Sequence, residues 1–269
     1  MTLYNNIGRG YSRTRPPDPQ IVENLIAAMA LPLGTTLMDV GAGHGKYANA
    51  LAERGYRVIA VEPSEVMRCQ AVKHENVVWL AASAEDIQLP SSCADGAFIV
   101  LALHHFADRQ KAFNEIARVV GMGPVVVFTF EPSRLAQFWL ADYFPSLGRE
   151  IDSSFSQLAD VAAEVKALTH RSIRSIPFPL PKDLTDKFAA ACWSQPEAYL
   201  RPEIQNGISS FALMSVHDVA KGLGRLSDDL KSGKWDETYG KLRQFEYYDI
   251  GYRFVVAEPH GGTSNPSPA

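Results

Sequence analysis

The chain has 269 residues, of which 46% are hydrophobic, 21% charged and 10% aromatic, and its formal charge is −4. This is the makeup of an ordinary globular protein, and it excludes a low-complexity or disordered chain. Mild acidity without a run of Lys or Arg leaves no electrostatic footprint for nucleic acid, so no nucleic-acid partner is expected.

No apolar segment approaches the roughly 20 residues of a membrane span, so none is expected. The N-terminus lacks the apolar core of a signal peptide, and the expected location is cytoplasmic. Cys69, Cys93 and Cys192 are far apart and show no CxxC spacing, which argues against a disulfide framework and a zinc site.

Residues 1–19 read as a polar, extended arm. Asp18 and Pro19 open a helix over 20–30, with Ile21, Leu25 and Met29 at helical spacing. A strand over 35–40 runs into a glycine loop, and a helix over 46–55 follows, stopped by Gly55. The alternation repeats as a strand at 56–63, a helix at 64–74 with Ser64 as N-cap, and a strand at 76–82. A fourth strand lies within 94–106, apolar almost throughout, as expected of a strand buried on both faces. A helix at 107–121 and a fifth strand at 123–132 complete the series. The predicted fold is α/β: a Rossmann-like, doubly wound sheet of seven strands, mostly parallel, with an antiparallel final strand at 249–258.

From 132 to 248 the rhythm breaks. This region is rich in aromatic residues and largely helical, with helical patterns at 155–168 and 216–233 and one core strand near 172–180. It is too long for a plain connection and reads as a lid over an acceptor pocket. The tail, 259–269, is small, polar and Pro-rich, and is expected to be disordered.

The loop "LMDVGAGHGK" at 37–46 is the most informative segment. A strand, a glycine-rich turn and a helix form a nucleotide-binding unit, because the backbone can approach its ligand closely. The dinucleotide pattern GxGxxG fails here, since Gly41, Gly43 and Gly45 give GxGxG. Asp39 would repel a pyrophosphate but suits a ligand bearing a sulfonium and an ammonium. Glu62, 17 residues beyond Gly45, ends the second strand, where an acid can accept hydrogen bonds from ribose hydroxyls.

"LMDVGAGHGKYA", "VIAVEPS", "AASAEDIQLP" and "ADGAFIVLALHHF", in this order, resemble the successive motifs of class I S-adenosylmethionine-dependent methyltransferases. The subgroup resembled includes the ubiquinone/menaquinone-biosynthesis and trans-aconitate enzymes. The likeness covers roughly 1–131 and the last strand.

It implies S-adenosylmethionine as cofactor and S-adenosylhomocysteine as product, and no metal is expected because no His/Asp/Glu cluster has metal spacing. Gly41, Ala42 and Gly43 would line the methionine and ribose side, with Asp39 organising the loop. Glu62 and Pro63 would meet the ribose, and Val66 or Met67 the adenine. Ser83 stands where the family often has Asp, so the Ala84 backbone and Glu85 are the candidates for the adenine amino group. Leu101 would offer its carbonyl to the methionyl ammonium, and Tyr11 or Arg15 would meet the carboxylate. A competing role for Arg15 is a pair with Asp18.

Methyl transfer from a sulfonium needs alignment and exclusion of water, and a base only for a protonated nucleophile. His104 and His105 are candidates for that base, with only one of them expected to face the site. Trp139, Tyr143 and Trp193 are candidate contacts for a small, partly apolar acceptor, the competing reading being that they form a helical core. The expected function is methyl transfer to such an acceptor by a monomer or homodimer. A non-catalytic binder on the same fold is the alternative, and a nicotinamide or flavin oxidoreductase is disfavoured by Asp39 and Gly45.

Overall fold

The structure is a computed structural model and describes residues 15–147 and 156–259. The arm before Arg15, with Tyr11, and the tail from 260 lie outside the described residues.

Asp18 caps the first helix, α1 (Pro19–Met29), its Oδ1 accepting the Gln20 and Ile21 N–H groups at 2.9 and 3.3 Å. Strand β1 (Thr36–Val40) leads into the glycine loop and α2 (Lys46–Glu53). β2 (Arg57–Val61), a one-turn helix α3 (Glu65–Arg68) and β3 (Val77–Leu80) follow. The helix expected over 64–74 stops at Arg68. Only Met67 of α3 is buried and Val72 is 71% exposed, so nothing past Arg68 offers an apolar stripe to hold a longer helix. β4 (Gly96–Val100), α4 (Arg109–Val120) and β5 (Val125–Phe130) complete the first half.

The sheet has seven strands in the order β3-β2-β1-β4-β5-β9-β6, where β6 is Ile173–Pro177 and β9 is Tyr252–Ala257. β1 to β5 are parallel neighbours, and β9 runs antiparallel to both β5 and β6. The chain order reverses between β1 and β4, and a crevice opens there at the carboxyl ends of the strands. α1 and α2 cover one face with Phe98, Phe128 and Phe254. On the other face, α4 and α7 (Leu158–Thr169) pack over Ile99, Val127 and Val255.

The segment 132–248 holds a core strand near 172–180, as expected, and also supplies a helix to the sheet's core. Val161 and Val165 of α7 are buried in the sheet's core and β6 is its edge strand. The rest of the segment, the expected lid, is built from α5 (Pro132–Ala136), α6 (Leu140–Tyr143) and the run from Phe178 to Tyr248. That run contains a two-stranded sheet of β7 (Leu180–Pro181) and β8 (Tyr247–Tyr248) and the long helix α10 (Val216–Ser232), with short α8 (Pro202–Asn206), α9 (Ser209–Leu213) and α11 (Lys234–Tyr239) around them. Among the described residues no helix is long and apolar enough to cross a membrane.

Candidate functional site

The loop after β1 turns back on itself through positive φ at Gly41, Gly43 and Gly45. Gly41 is required twice over: its φ is +77°, and a Cβ there would lie 2.7 Å from that of Ala102. Four of the loop's N–H groups are spent within the protein. Gly41 and Ala42 donate to the Val61 carbonyl at 2.9 and 3.1 Å, and Gly45 to Ala42 at 2.9 Å. Gly43 donates to Glu62 Oε2 at 2.9 Å. Four amides that could have cradled a pyrophosphate are thus occupied, and two carboxylates stand in their place.

A cavity of about 420 Å³ lies over this loop. It collects the candidates Arg15, Asp39, Gly41, Ala42, Gly43, Glu62, Pro63, Met67, Ala84, Glu85 and Leu101, together with His105. Val66 is half-buried and is absent from its wall. Glu62 braces two loops, since its other oxygen, Oε1, accepts the Ser64 N–H at 2.8 Å. Each oxygen keeps a further lone pair for a ligand hydroxyl. Burial pushes the Glu62 carboxyl up, against the backbone bonds from Ser64 and Gly43. Asp39 is raised to about 8 by burial and by the charge of Glu62, against an N–H bond from Ala48 and the charge of Lys46. A cation near a carboxyl raised in this way favours its charged form, whereas a diphosphate would not.

Glu85 is drawn into the local architecture: its Oε1 accepts the Ala107 and Asp108 N–H groups at 2.7 and 3.3 Å. Leu101 follows β4 with a φ of +51°, a left-handed conformation that is strained for a leucine. It lines the large cavity and also a smaller one of about 70 Å³ beneath the lid. Arg15 lines both as well. The smaller cavity is mostly apolar, walled by Phe130, Leu135, Leu147, Phe188, Ile208 and Tyr252, with His104, Ser209 and Ser210 as polar members.

The two histidines divide between the chambers: His105 lines the large cavity and His104 the small one, with ring centroids 3.8 Å apart. Both side chains are exposed, and the protein packed around their rings favours the neutral form. Burial lowers His105 to about 4, and burial with the neighbouring His105 lowers His104 well below the ordinary value.

The expectation for the lid aromatics meets a different placement. Trp139, Tyr143 and Trp193 line neither cavity and are buried in the lid's own core. Trp139 stacks edge-on against Tyr199 and Trp235, with centroids 5.4 Å away in each case. Their polar atoms are satisfied there: Trp139 Nε1 donates to the Trp193 carbonyl at 2.9 Å, and the Tyr143 hydroxyl to Asp229 at 2.9 Å. Packing the lid to native density consumes these rings, which is their commoner use.

A family model described as a methyltransferase domain matches residues 38–128. A solved structure named 'putative methyltransferase from antibiotic biosynthesis pathway', from Anabaena variabilis, is 44% identical. It superposes with a TM-score of 0.88 over 91% of this chain and 99% of that one. The chain belongs to the class I S-adenosylmethionine-dependent methyltransferases. An uncharacterised methyltransferase of Mycobacterium tuberculosis is 32% identical over 146 residues, 53% of this chain and 57% of the relative. The chain thus matches little more than half the length of its curated relatives. The Haemonchus contortus phosphoethanolamine N-methyltransferase 2, seen with S-adenosylhomocysteine, shares the fold at 17% identity. Its TM-score is 0.58, over 91% of this chain and 54% of that one.

The sequence reading of this methyltransferase missed a charged cluster beside the cofactor cavity. Arg15 does not pair with Asp18, whose second oxygen accepts the Thr185 N–H at 2.8 Å. Its partner is Asp186, a fully buried lid residue that also takes Lys46 at 2.5 Å and the Tyr47 hydroxyl at 2.8 Å. Burial pushes Asp186 up, but the charges of Arg15 and Lys46 outweigh it and hold the carboxyl at about 2. Lys46 itself is lowered to about 7 by burial and by Arg15, against the pull of Asp186. Lys46 and Tyr47 adjoin the glycine loop and could have been suspected from position alone. Nothing local marks Asp186. Among the described residues no group of three or more His, Cys, Asp or Glu side chains is placed to hold a metal ion.

Proposed function

We propose that this methyltransferase transfers a methyl group to a small, partly apolar acceptor seated in the smaller cavity beneath the lid. The observation that carries this reading is the junction of the two cavities at Arg15 and Leu101. One chamber suits the cofactor and the other the acceptor, and they meet at a strained residue. S-adenosylmethionine supplies the methyl group on a sulfonium whose leaving group is already good.

The chain's own residues hold and align. Glu62 would take the ribose hydroxyls, Met67 and the Ala84–Glu85 turn the adenine, and the Leu101 carbonyl the methionyl ammonium. Arg15 would meet the carboxylate. His104 faces the acceptor chamber as a neutral imidazole and would hold, or accept, the proton of a hydroxyl acceptor. The apolar walls exclude water from the transfer.

Titration calorimetry with S-adenosylmethionine, S-adenosylhomocysteine and NAD tests the cofactor assignment. Binding of both sulfur nucleosides with no response to NAD is expected, and a flat response to both would overturn it. Mass spectrometry of products formed from labelled S-adenosylmethionine in an extract of the source organism then identifies the acceptor.

A further inference from the structure

The cluster around Asp186 joins three parts of the chain that the sequence leaves far apart. Arg15 precedes α1, Lys46 and Tyr47 open α2 directly after the glycine loop, and Asp186 comes from the lid. Arg15 also donates through Nη1 to the Gly207 carbonyl, a second lid contact, at 3.1 Å. The Phe188 N–H donates to the Asp186 carbonyl at 2.9 Å, and Phe188 with Ala189 lines the acceptor-side cavity. The guanidinium of Arg15 sits 5.9 Å from the centre of the Phe188 ring.

One residue therefore ties the cofactor chamber's wall to the acceptor chamber's wall, through its carboxylate to Arg15, Lys46 and Tyr47 and through its backbone carbonyl to Phe188. Arg15, Lys46 and Tyr47 line the first, while Phe188 and Ala189 line the second. Arg15 and Lys46 share one carboxylate here, so Arg15 is matched by Asp186 and the cluster gains a positive charge only when Lys46, lowered to about 7, is protonated. Without the anion, two buried like charges would repel and draw apart toward water.

We infer that Asp186 is a positioning residue: it holds Arg15 and Lys46 together as a cationic seat for the carboxylate of the cofactor's amino-acid end, and through Phe188 it sets the acceptor chamber against that seat. The inference rests on the methyl-transfer reading of the cavity. With Lys46 protonated the seat is net positive and attracts the tail's carboxylate, and the lid origin of its anion makes the seat complete only when the lid is docked.

The test compares two ligands that share adenosine and a thioether and differ in the tail: S-adenosylhomocysteine and 5′-methylthioadenosine. In Asp186→Asn the Kd for S-adenosylhomocysteine should rise by at least about tenfold, the worth of one charge-assisted contact. The Kd for 5′-methylthioadenosine should stay within about threefold, the scatter expected for a site left otherwise intact. Equal weakening of both ligands would mean that Asp186 only shapes the wall, and would overturn the inference, as would an unchanged Kd for S-adenosylhomocysteine. If circular dichroism shows that Asp186→Asn does not fold, Lys46→Met serves in its place. It keeps the Arg15–Asp186 pair and should show the same asymmetry, smaller in size, and equal losses there overturn the inference too. A wild-type protein that binds neither ligand sinks the methyl-transfer reading and this inference with it, whereas wild-type binding with equal losses sinks the inference alone.

Discussion

Replacing Asp39 by Asn tests the electrostatic logic of the cavity. Asp39 is buried at 3% exposure within β1, and its carboxyl is pushed up to about 8. Below that pH the ligand-free site holds a neutral acid. A cationic ligand that needs the carboxylate must first release its proton, at about 1.4 kcal/mol for each pH unit below 8. Apparent affinity for S-adenosylmethionine should then improve by up to about tenfold per pH unit as the pH rises toward 8, and flatten above it.

Other groups titrate nearby. Lys46 lies at about 7, Glu62 is raised, and His44, lowered to about 4 by burial and the charges of Lys46 and Arg15, stays neutral throughout. All of them are present in Asp39→Asn, so the ratio of the two proteins' Kd values cancels what they share and leaves Asp39 with its coupling to Lys46 and Glu62. The ratio should climb with pH between ~6 and ~8, with net proton release on wild-type binding when calorimetry is run in buffers of different ionisation enthalpy.

The ligand-free protein should behave oppositely. A carboxyl raised from 3.8 to about 8 on folding contributes stability that is fully present below 3.8, falls between 3.8 and about 8, and is lost above that. Asp39→Asn, which mimics the neutral acid, should therefore melt higher than wild type at alkaline pH while binding more weakly. A Kd ratio that does not change with pH, or proton uptake on binding, would refute the reasoning.

Glu62→Gln leaves one backbone N–H facing an amide donor and should destabilise the protein by about 1–3 kcal/mol. It should also erase most of the preference for S-adenosylhomocysteine over its 2′-deoxy counterpart, read by calorimetry, if the carboxylate holds the ribose. His104→Asn should lower turnover of a hydroxyl acceptor with little change in cofactor Kd. His105→Asn should shift cofactor Kd instead, so the two effects arriving in reverse would reassign the chambers. Gly222 of α10 packs so closely that a Cβ would lie 2.4 Å from the Phe144 ring and 2.8 Å from the Tyr143 carbonyl. Gly222→Ala should cost about 1–3 kcal/mol through overpacking. Gly224→Ala, with nothing within 4 Å, should be neutral or stabilising by thermal denaturation, which makes it the matched control.

The order and type of the elements from 19 to 130 were legible because their information is local. Apolar runs such as Val125–Phe130 repeat at strand length, Asp18 and Ser64 sit at helix starts, and the glycines mark a turn that only they can make. For the same reason the cofactor was legible: Asp39, Gly41, Gly43 and Glu62 lie at the ends of two adjacent parallel strands, where a short sequence interval is also a short distance.

The lid resisted the same reading because an aromatic side chain looks alike whether it packs a core or faces a ligand. Only the fold showed that Trp139, Tyr143 and Trp193 spend their rings on one another's neighbours, while Leu135, Phe188 and Ile208 wall the chamber. Tertiary structure also decided the partner of Arg15. Asp18 stands three residues away and caps a helix, whereas Asp186 stands 171 residues away and is buried against two cations. A buried charge takes whatever counter-charge the fold brings within reach, and sequence separation does not enter that choice.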